Sequence, residues 1–242
     1  MNARSPFLSV VIPCYDAAPF LAEALASVFA QGLDDVEVIV VDDGSTDGSG
    51  EIARRYDPRV VLLSQPNAGI AAARNAGVAR ARSPWLAFLD ADDLWTEGSL
   101  RSRLDAVQAV PGADGVFGAL QQFLCPRLEP AAAARIDYDP TPQVARFAGT
   151  LLLRREAFLR AGPFDASLKV GEMLDWVSRA ELAGLTLATL ERVVMRRRIH
   201  GSNTVLRQPA AAGNADYLRA LKAAIDRKRA LARAAGDVRE AV

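Results

Sequence analysis

The chain has 242 residues, half of them apolar, enough for one large domain or one domain with a small appendage. Its 29 basic and 29 acidic residues cancel, which argues against generic binding to nucleic acid or to an anionic membrane. Cys14 and Cys125 lack metal-ligand spacing, and neither a signal peptide nor an apolar run of roughly 18 residues is present, so a reduced, cytoplasmic protein that meets membranes only by peripheral docking is expected.

In chain order, residues 8–12 are an apolar run closed by Pro13, the pattern of a buried strand. Phe20, Leu21, Ala24, Leu25, Val28 and Phe29 then recur at helical spacing. Residues 36–41 make a second buried strand, closed by Asp42, Asp43, Gly44 and Ser45. A helix over 47–56 and a strand over 60–63 follow, then an alanine-rich helix over 69–81 that leads into a strand over 85–89. This β-α-β-α-β-α-β order predicts an α/β fold, a mostly parallel sheet with helices on both faces.

Further on, residues 116–124 read as a strand, and 126–142, with their alanines and prolines, as a mobile loop and candidate lid. A strand over 149–153, a short helix over 155–161 ended by Gly162 and Pro163, a helix over 172–183 and a strand over 193–199 complete the pattern. Residues 210–235 predict a long amphipathic helix with Tyr217, Leu218, Leu221 and Ile225 on one stripe. Packing on the domain is the expectation for it, with dimerisation or partner docking as alternatives.

Asp90, Asp92 and Asp93 place three carboxylates in four positions at the end of the strand 85–89. Carboxylates so close repel one another and need a compensating positive charge. The C-terminal end of a strand in an α/β sheet is also where ligands sit. A hard divalent cation that takes one or two carboxylates and completes its shell with water and phosphate oxygens meets both conditions. Asp93 alternatively caps the helix that follows Thr96.

Other strand ends carry polar groups toward the same rim: Pro13, Cys14, Tyr15 and Asp16 after the first, Asp42 and Asp43 after the second, Gln65, Asn67 and Gly69 with Arg74 and Asn75 after the third. Four stretches in this order, 10–15, 40–47, 67–77 and 88–93, resemble the family 2 glycosyltransferases, and Phe164, Asp165, Gly171, Glu172, Arg198, Ile199 and His200 extend the likeness more loosely.

The resemblance implies a GT-A fold and an inverting, hexosyltransferase-type enzyme that uses a nucleotide diphosphate sugar, most often uridine-linked, with Mg2+ or Mn2+. Pro13 and Tyr15 would then lie by the nucleoside, and Asp42 would accept a hydrogen bond from the base. Asn67, Gly69 and Arg74 would close the nucleotide pocket. Asp90, with Ala91 beside it, would face the ribose, and Asp92 would reach the metal as the second acid of the DXD motif. Uracil's ring N–H donates and a carboxylate accepts, which suits Asp42 to that role. The alternative for Asp42 and Asp43 is an Asx-turn with Gly44. His200, the only histidine, would supply a further metal ligand, and one of Arg196, Arg197 and Arg198 would face the diphosphate.

The likeness breaks where an acidic pair would face the acceptor, because Glu172 is followed by Met173, which cannot accept a proton. Glu172 is the expected base, with Asp175 on the same helix face as the alternative. A nucleotide-sugar-binding protein with impaired or lost transfer is the competing reading. Trp95 and Trp176 would stack on an acceptor sugar or pack in the core. The acceptor, whether saccharide, lipid-linked glycan, peptide or small molecule, and the oligomeric state stay open. The expected organisation is a catalytic domain over 1–205, with a nucleotide-binding half 1–95 and an acceptor half 96–205, then a helical extension over 206–242. Neither a Gly-x-Gly-x-x-Gly nor a P-loop lysine is present, which sets aside dehydrogenase and NTPase readings.

Overall fold

Long apolar runs with no polar alternation need cover on both faces, and the parallel strands of this chain receive it. A computed structural model describes residues 6–201, 203 and 210–240. Four parallel strands, β1 (Leu8–Cys14), β2 (Val36–Asp42), β3 (Val60–Ser64) and β4 (Trp85–Phe88), alternate with helices α1 (Ala18–Phe29), α2 (Ser49–Tyr56) and α3 (Ile70–Arg80). Val10 and Ile12 of β1 pack with Leu21, Leu25 and Val28 of α1, whereas Val11 packs with Ala71, Ala73 and Val78 of α3 on the other face. Helix α3 seats directly on β1 because Gly77 has no side chain: a Cβ there would stand 2.3 Å from Val11 Cγ1.

The second half comprises β5 (Leu94–Trp95), α4 (Ser99–Ala109), β6 (Gly115–Leu124), α5 (Pro130–Ala133), β7 (Gln143–Val144), β8 (Leu151–Arg154), α6 (Arg155–Ala161), α7 (Glu172–Leu182), β9 (Leu187–Ile199) and α8 (Ala210–Glu240). The strand order is β3-β2-β1-β4-β8-β6-β9-β5, with β7 on β6. Strand β8 runs antiparallel between β4 and β6, so the sheet is parallel where the first half builds it and mixed beyond. No helix of the described residues is long and apolar enough to cross a membrane.

Three expectations are revised here. The last strand begins at Leu187 rather than at residue 193, because 187–189 pair with Gly115, Val116 and Phe117 of β6. Trp95 and Trp176 are both core residues, 4% and 0% exposed, with their indole N–H groups on the carbonyls of Gly149 and Gly162. Helix α8 packs on α7, but through Ala220 and Ala224; Tyr217, Leu218 and Ile225 of the expected stripe are exposed. Small residues allow the close approach, since a Cβ on Gly171 would already meet Ala220 Cβ at 3.2 Å. The expected boundary near residue 205 falls outside the described residues.

Candidate functional site

Register sets the rim. Cys14 lies beside Asp42 and Asp42 beside Ser64, so the C-terminal ends of the first three strands finish level, and the turn after each opens on the same side. A cleft of about 1650 Å³ occupies that side, larger than a typical small-ligand pocket. Pro13, Tyr15, Asn67, Gly69, Arg74, Asp90, Ala91, Asp92, Glu172 and His200 all line it. Two expected residues, Asp42 and Asp175, do not.

On the floor of the first two strands the acid facing the cleft is Asp43, not Asp42. Asp42 Oδ1 accepts from the Ser45 amide at 2.9 Å, and its Oδ2 lies against Gly50 of α2. Asp43, buried, accepts from Gln65 Nε2 at 2.7 Å and from the amides of Ala68 and Gly69 at 2.9 and 2.8 Å. Gly69 reaches that carboxylate with φ of 90°, a conformation that favours glycine, and then caps α3. Tyr15 is 56% exposed at the mouth, and next to it Asp16 adopts φ of 46° while its Oδ1 takes the Thr46 amide at 2.8 Å.

The acidic cluster divides three ways. Asp90 Oδ1 accepts from Arg74 Nη2 at 2.6 Å. Asp92 Oδ2 lies 3.0 Å from His200 Nε2 and 3.4 Å from Asn203 Nδ2. Asp93 is buried and accepts from the Arg198 amide at 2.8 Å, so it ties β9 to the cluster and does not cap α4, whose N-cap is Gly98. Burial raises the Asp93 carboxyl well above the usual carboxylate range, and the charges of Asp92 and Asp90 add to the rise. Of the three arginines, Arg198 is buried between Phe20 and Phe123 and donates to Glu23 at 2.6 Å, Arg196 stacks on Phe123, and only Arg197 lines the cleft.

One carboxylate oxygen and one imidazole nitrogen, with an amide near, suit a magnesium- or manganese-like ion that completes its shell from water and phosphate oxygens. Among the described residues no group of three or more His, Cys, Asp and Glu is arranged to hold a metal unaided. Asp92 and His200 are therefore the residues that would hold such an ion, together with a phosphorylated ligand.

Arg74, only 3% exposed, forks between the two halves of the cleft: Nη2 on Asp90 and Nη1 on Glu172 Oε1 at 2.7 Å. Two carboxylates hold its guanidinium charged despite burial. Its neighbour Asn75 clamps the Phe164 amide and carbonyl at 2.9 and 2.8 Å, fixing the segment that leads to α7.

Asp175 is separated from Glu172. It is 3% exposed, with Oδ2 accepting from Arg179 at 2.9 Å and Oδ1 from Arg227 of α8 at 2.6 Å. The expected shared face fails because three residues on a helix differ by about 60° in direction, enough here to turn Asp175 away from the cleft. Met173 packs into the core with Val177 and Ala180, at helical spacings of four and seven. Met173 also lines the cleft next to Glu172, with its thioether where the family likeness expects an acid.

Residues 126–142, the candidate lid, hold α5 and supply no lining residue among those described. Arg127 instead pins the start of that segment to Glu23 and the Pro19 carbonyl of α1. The lining that sequence reasoning missed comes from Arg146, Phe147, Ser178 and Glu181, and from Tyr217, Ala224 and Lys228 of α8. No local motif marks these residues; the Arg146–Glu181 pair and the docking of α8 bring them together.

Among known proteins, the family model described as "Glycosyl transferase family 2" matches residues 9–161. The glycosyltransferase EpsJ of Bacillus subtilis is 31% identical over 69% of this chain and 54% of its own length. Glycosyltransferase AglE of Haloferax volcanii is 32% identical over 80% of this chain and 67% of its own. The chain thus spans about half the length of EpsJ. Among solved structures, S. aureus TarS 1-349 in complex with UDP-GlcNAc superposes with a TM-score of 0.67 at 19% identity, covering 84% of this chain and 61% of that one. The mannosyltransferase PcManGT of Pyrobaculum calidifontis, in complex with GDP-Man and Mn2+, gives 0.63 at 24%, covering 84% and 59%. At these identities the structural likeness is one of fold, and that fold is GT-A.

Proposed function

The chain belongs to glycosyl transferase family 2, and from that premise we propose that it moves a hexosyl unit from a nucleotide diphosphate sugar, uridine-linked, to an acceptor hydroxyl with inversion and with Mg2+ or Mn2+. The observation that carries the reading is the Arg74 fork, which joins a carboxylate of the nucleotide rim, Asp90, to Glu172, the acid that opens the acceptor side at the start of α7.

Tyr15 offers an exposed ring face to the base, with Pro13 beneath. Asp43 accepts the base's ring N–H, a donor that adenine and cytosine lack; Asp42, turned toward α2, takes no part. Asp90 meets the ribose, and Asn67 and Gly69 close the pocket. A divalent cation at Asp92 and His200 would neutralise charge on the departing diphosphate. Arg197 adds positive charge on the same side, where it also acts on Asp93. Glu172, oriented by Arg74, removes the acceptor hydroxyl's proton as that oxygen attacks the anomeric carbon and the diphosphate leaves from the opposite face. Glu172 therefore serves without the second acid whose place Met173 takes.

Titration of UDP, GDP and their sugars with and without manganese tests the reading, followed by UDP release in the presence of candidate acceptors. Manganese-dependent UDP binding with turnover supports it. Binding without turnover supports instead a nucleotide-sugar-binding protein, and absence of binding contradicts both.

A further inference from the structure

The face of α7 from Glu172 to Glu181 lies outside the groups that handle the nucleotide. Glu172, Ser178 and Glu181 all line the cleft, so the groove follows the helix for nine steps of 1.5 Å, about 13 Å. Ser178 is 4% exposed, and its hydroxyl has no hydrogen-bond partner among the described residues. A buried hydroxyl beside a groove is unfavourable until another group pairs with it.

At the far end of the groove two cations share one acid: Arg146 pairs with Glu181, and Lys228 of α8 approaches the same carboxylate at 3.3 Å. Two cations against one acid leave this end net positive. Two exposed aromatic residues line the same cleft, Phe147 at 40% and Tyr217 at 48%. Tyr217 stands beside the base, its Cδ2 3.6 Å from where a Cβ on Gly171 would sit. Ring faces with hydrogen-bonding edges suit sugar rings, and a positive end suits carboxylate or phosphate.

We infer that the acceptor is an anionic saccharide longer than one sugar ring, laid along α7 with its reacting hydroxyl at Glu172 and its charged group at Arg146 and Lys228. This rests on the transferase reading above. Helix α8 is then a wall of the acceptor groove, fastened by the Arg227–Asp175 pair. Ser178 donates to or accepts from a sugar hydroxyl, and Tyr217 carries the ring next to the reacting one.

Two probes test it in the full chain with UDP and manganese present: a hyaluronan tetrasaccharide, which carries carboxylates, and neutral chitotetraose, each followed by saturation-transfer NMR titration. The anionic probe is expected to bind at least tenfold more tightly, and to weaken at high salt. Arg146→Glu with Lys228→Glu should lower its affinity about tenfold, and Ser178→Ala should lower it severalfold, while UDP affinity stays at the wild-type value in both. Equal affinity for the two probes, no binding of the anionic one, or indifference to the charge reversal would overturn the inference. Failure of the transferase reading itself would register separately, as absence of UDP binding.

Discussion

Arg74 and Glu172 meet at 2.7 Å across 98 residues of sequence, and the same guanidinium holds Asp90 at 2.6 Å. A buried arginine shared by two acids fixes the distance between Asp90 and Glu172. Removing one partner of a buried ion pair costs about 3–5 kcal/mol, because the remaining charges lose their counter-charge. Arg74→Met should therefore lower the melting temperature by several degrees and reduce kcat at least a hundredfold, with a smaller effect on UDP affinity. Calorimetry and single-turnover kinetics on the variant check both effects; a variant with wild-type kcat would remove Arg74 from the mechanism.

Asp43 and Asp42 differ by one position and face opposite ways. A charge-assisted hydrogen bond contributes about 1.5–3 kcal/mol, roughly ten- to hundredfold in affinity. Asp43→Ala should weaken UDP by that factor. Asp42→Ala should change it by less than about threefold, since it loses only the turn contact to Ser45. Equilibrium titration of the two variants decides between the positions, and a reversed order would restore Asp42 to the base.

Asp92→Ala should abolish the manganese dependence of UDP binding and leave only weak, metal-independent affinity. His200→Ala should do the same in part, because one of two protein donors remains. Titration at fixed manganese reads both. Undiminished metal dependence in Asp92→Ala would move the ion elsewhere.

Cys14 ends β1 at the cleft, 2% exposed, and burial pushes its thiol up to about 11. The thiolate is the reactive form, so at pH 8 only roughly one molecule in a thousand presents it. Alkylation by iodoacetamide should be slow at neutral pH and rise steeply as pH approaches the thiol's raised value. Rapid modification at pH 7 would contradict the burial.

How much of this the chain itself declares depends on the physics of each element. Strands β1 to β4 are legible because their apolar runs are long and buried on both faces. That same double burial hides which of Asp42 and Asp43 turns inward, since no polar alternation sets the parity of the strand end. Strand β5 has two residues and exists only because Leu94 and Trp95 pair with Arg196 and Met195. Spacing alone offers Asp175 as a base and also offers Arg179 as its partner one turn on; its second partner, Arg227, lies on α8, and only tertiary docking shows it. The alanines of α8 read as helix formers, whereas Ala220 and Ala224 are the contact surface, chosen by close approach instead of hydrophobic bulk.

The most direct test of the account is UDP release from a UDP-sugar with manganese and an accepted acceptor, measured side by side in the wild-type protein, Glu172→Gln and Asp175→Asn. Loss of the base costs about two to four orders of magnitude. Glu172→Gln is expected to show that loss with UDP affinity intact, and Asp175→Asn to keep most of its kcat at reduced thermal stability. Full turnover in Glu172→Gln, or a larger catalytic loss in Asp175→Asn, would contradict it.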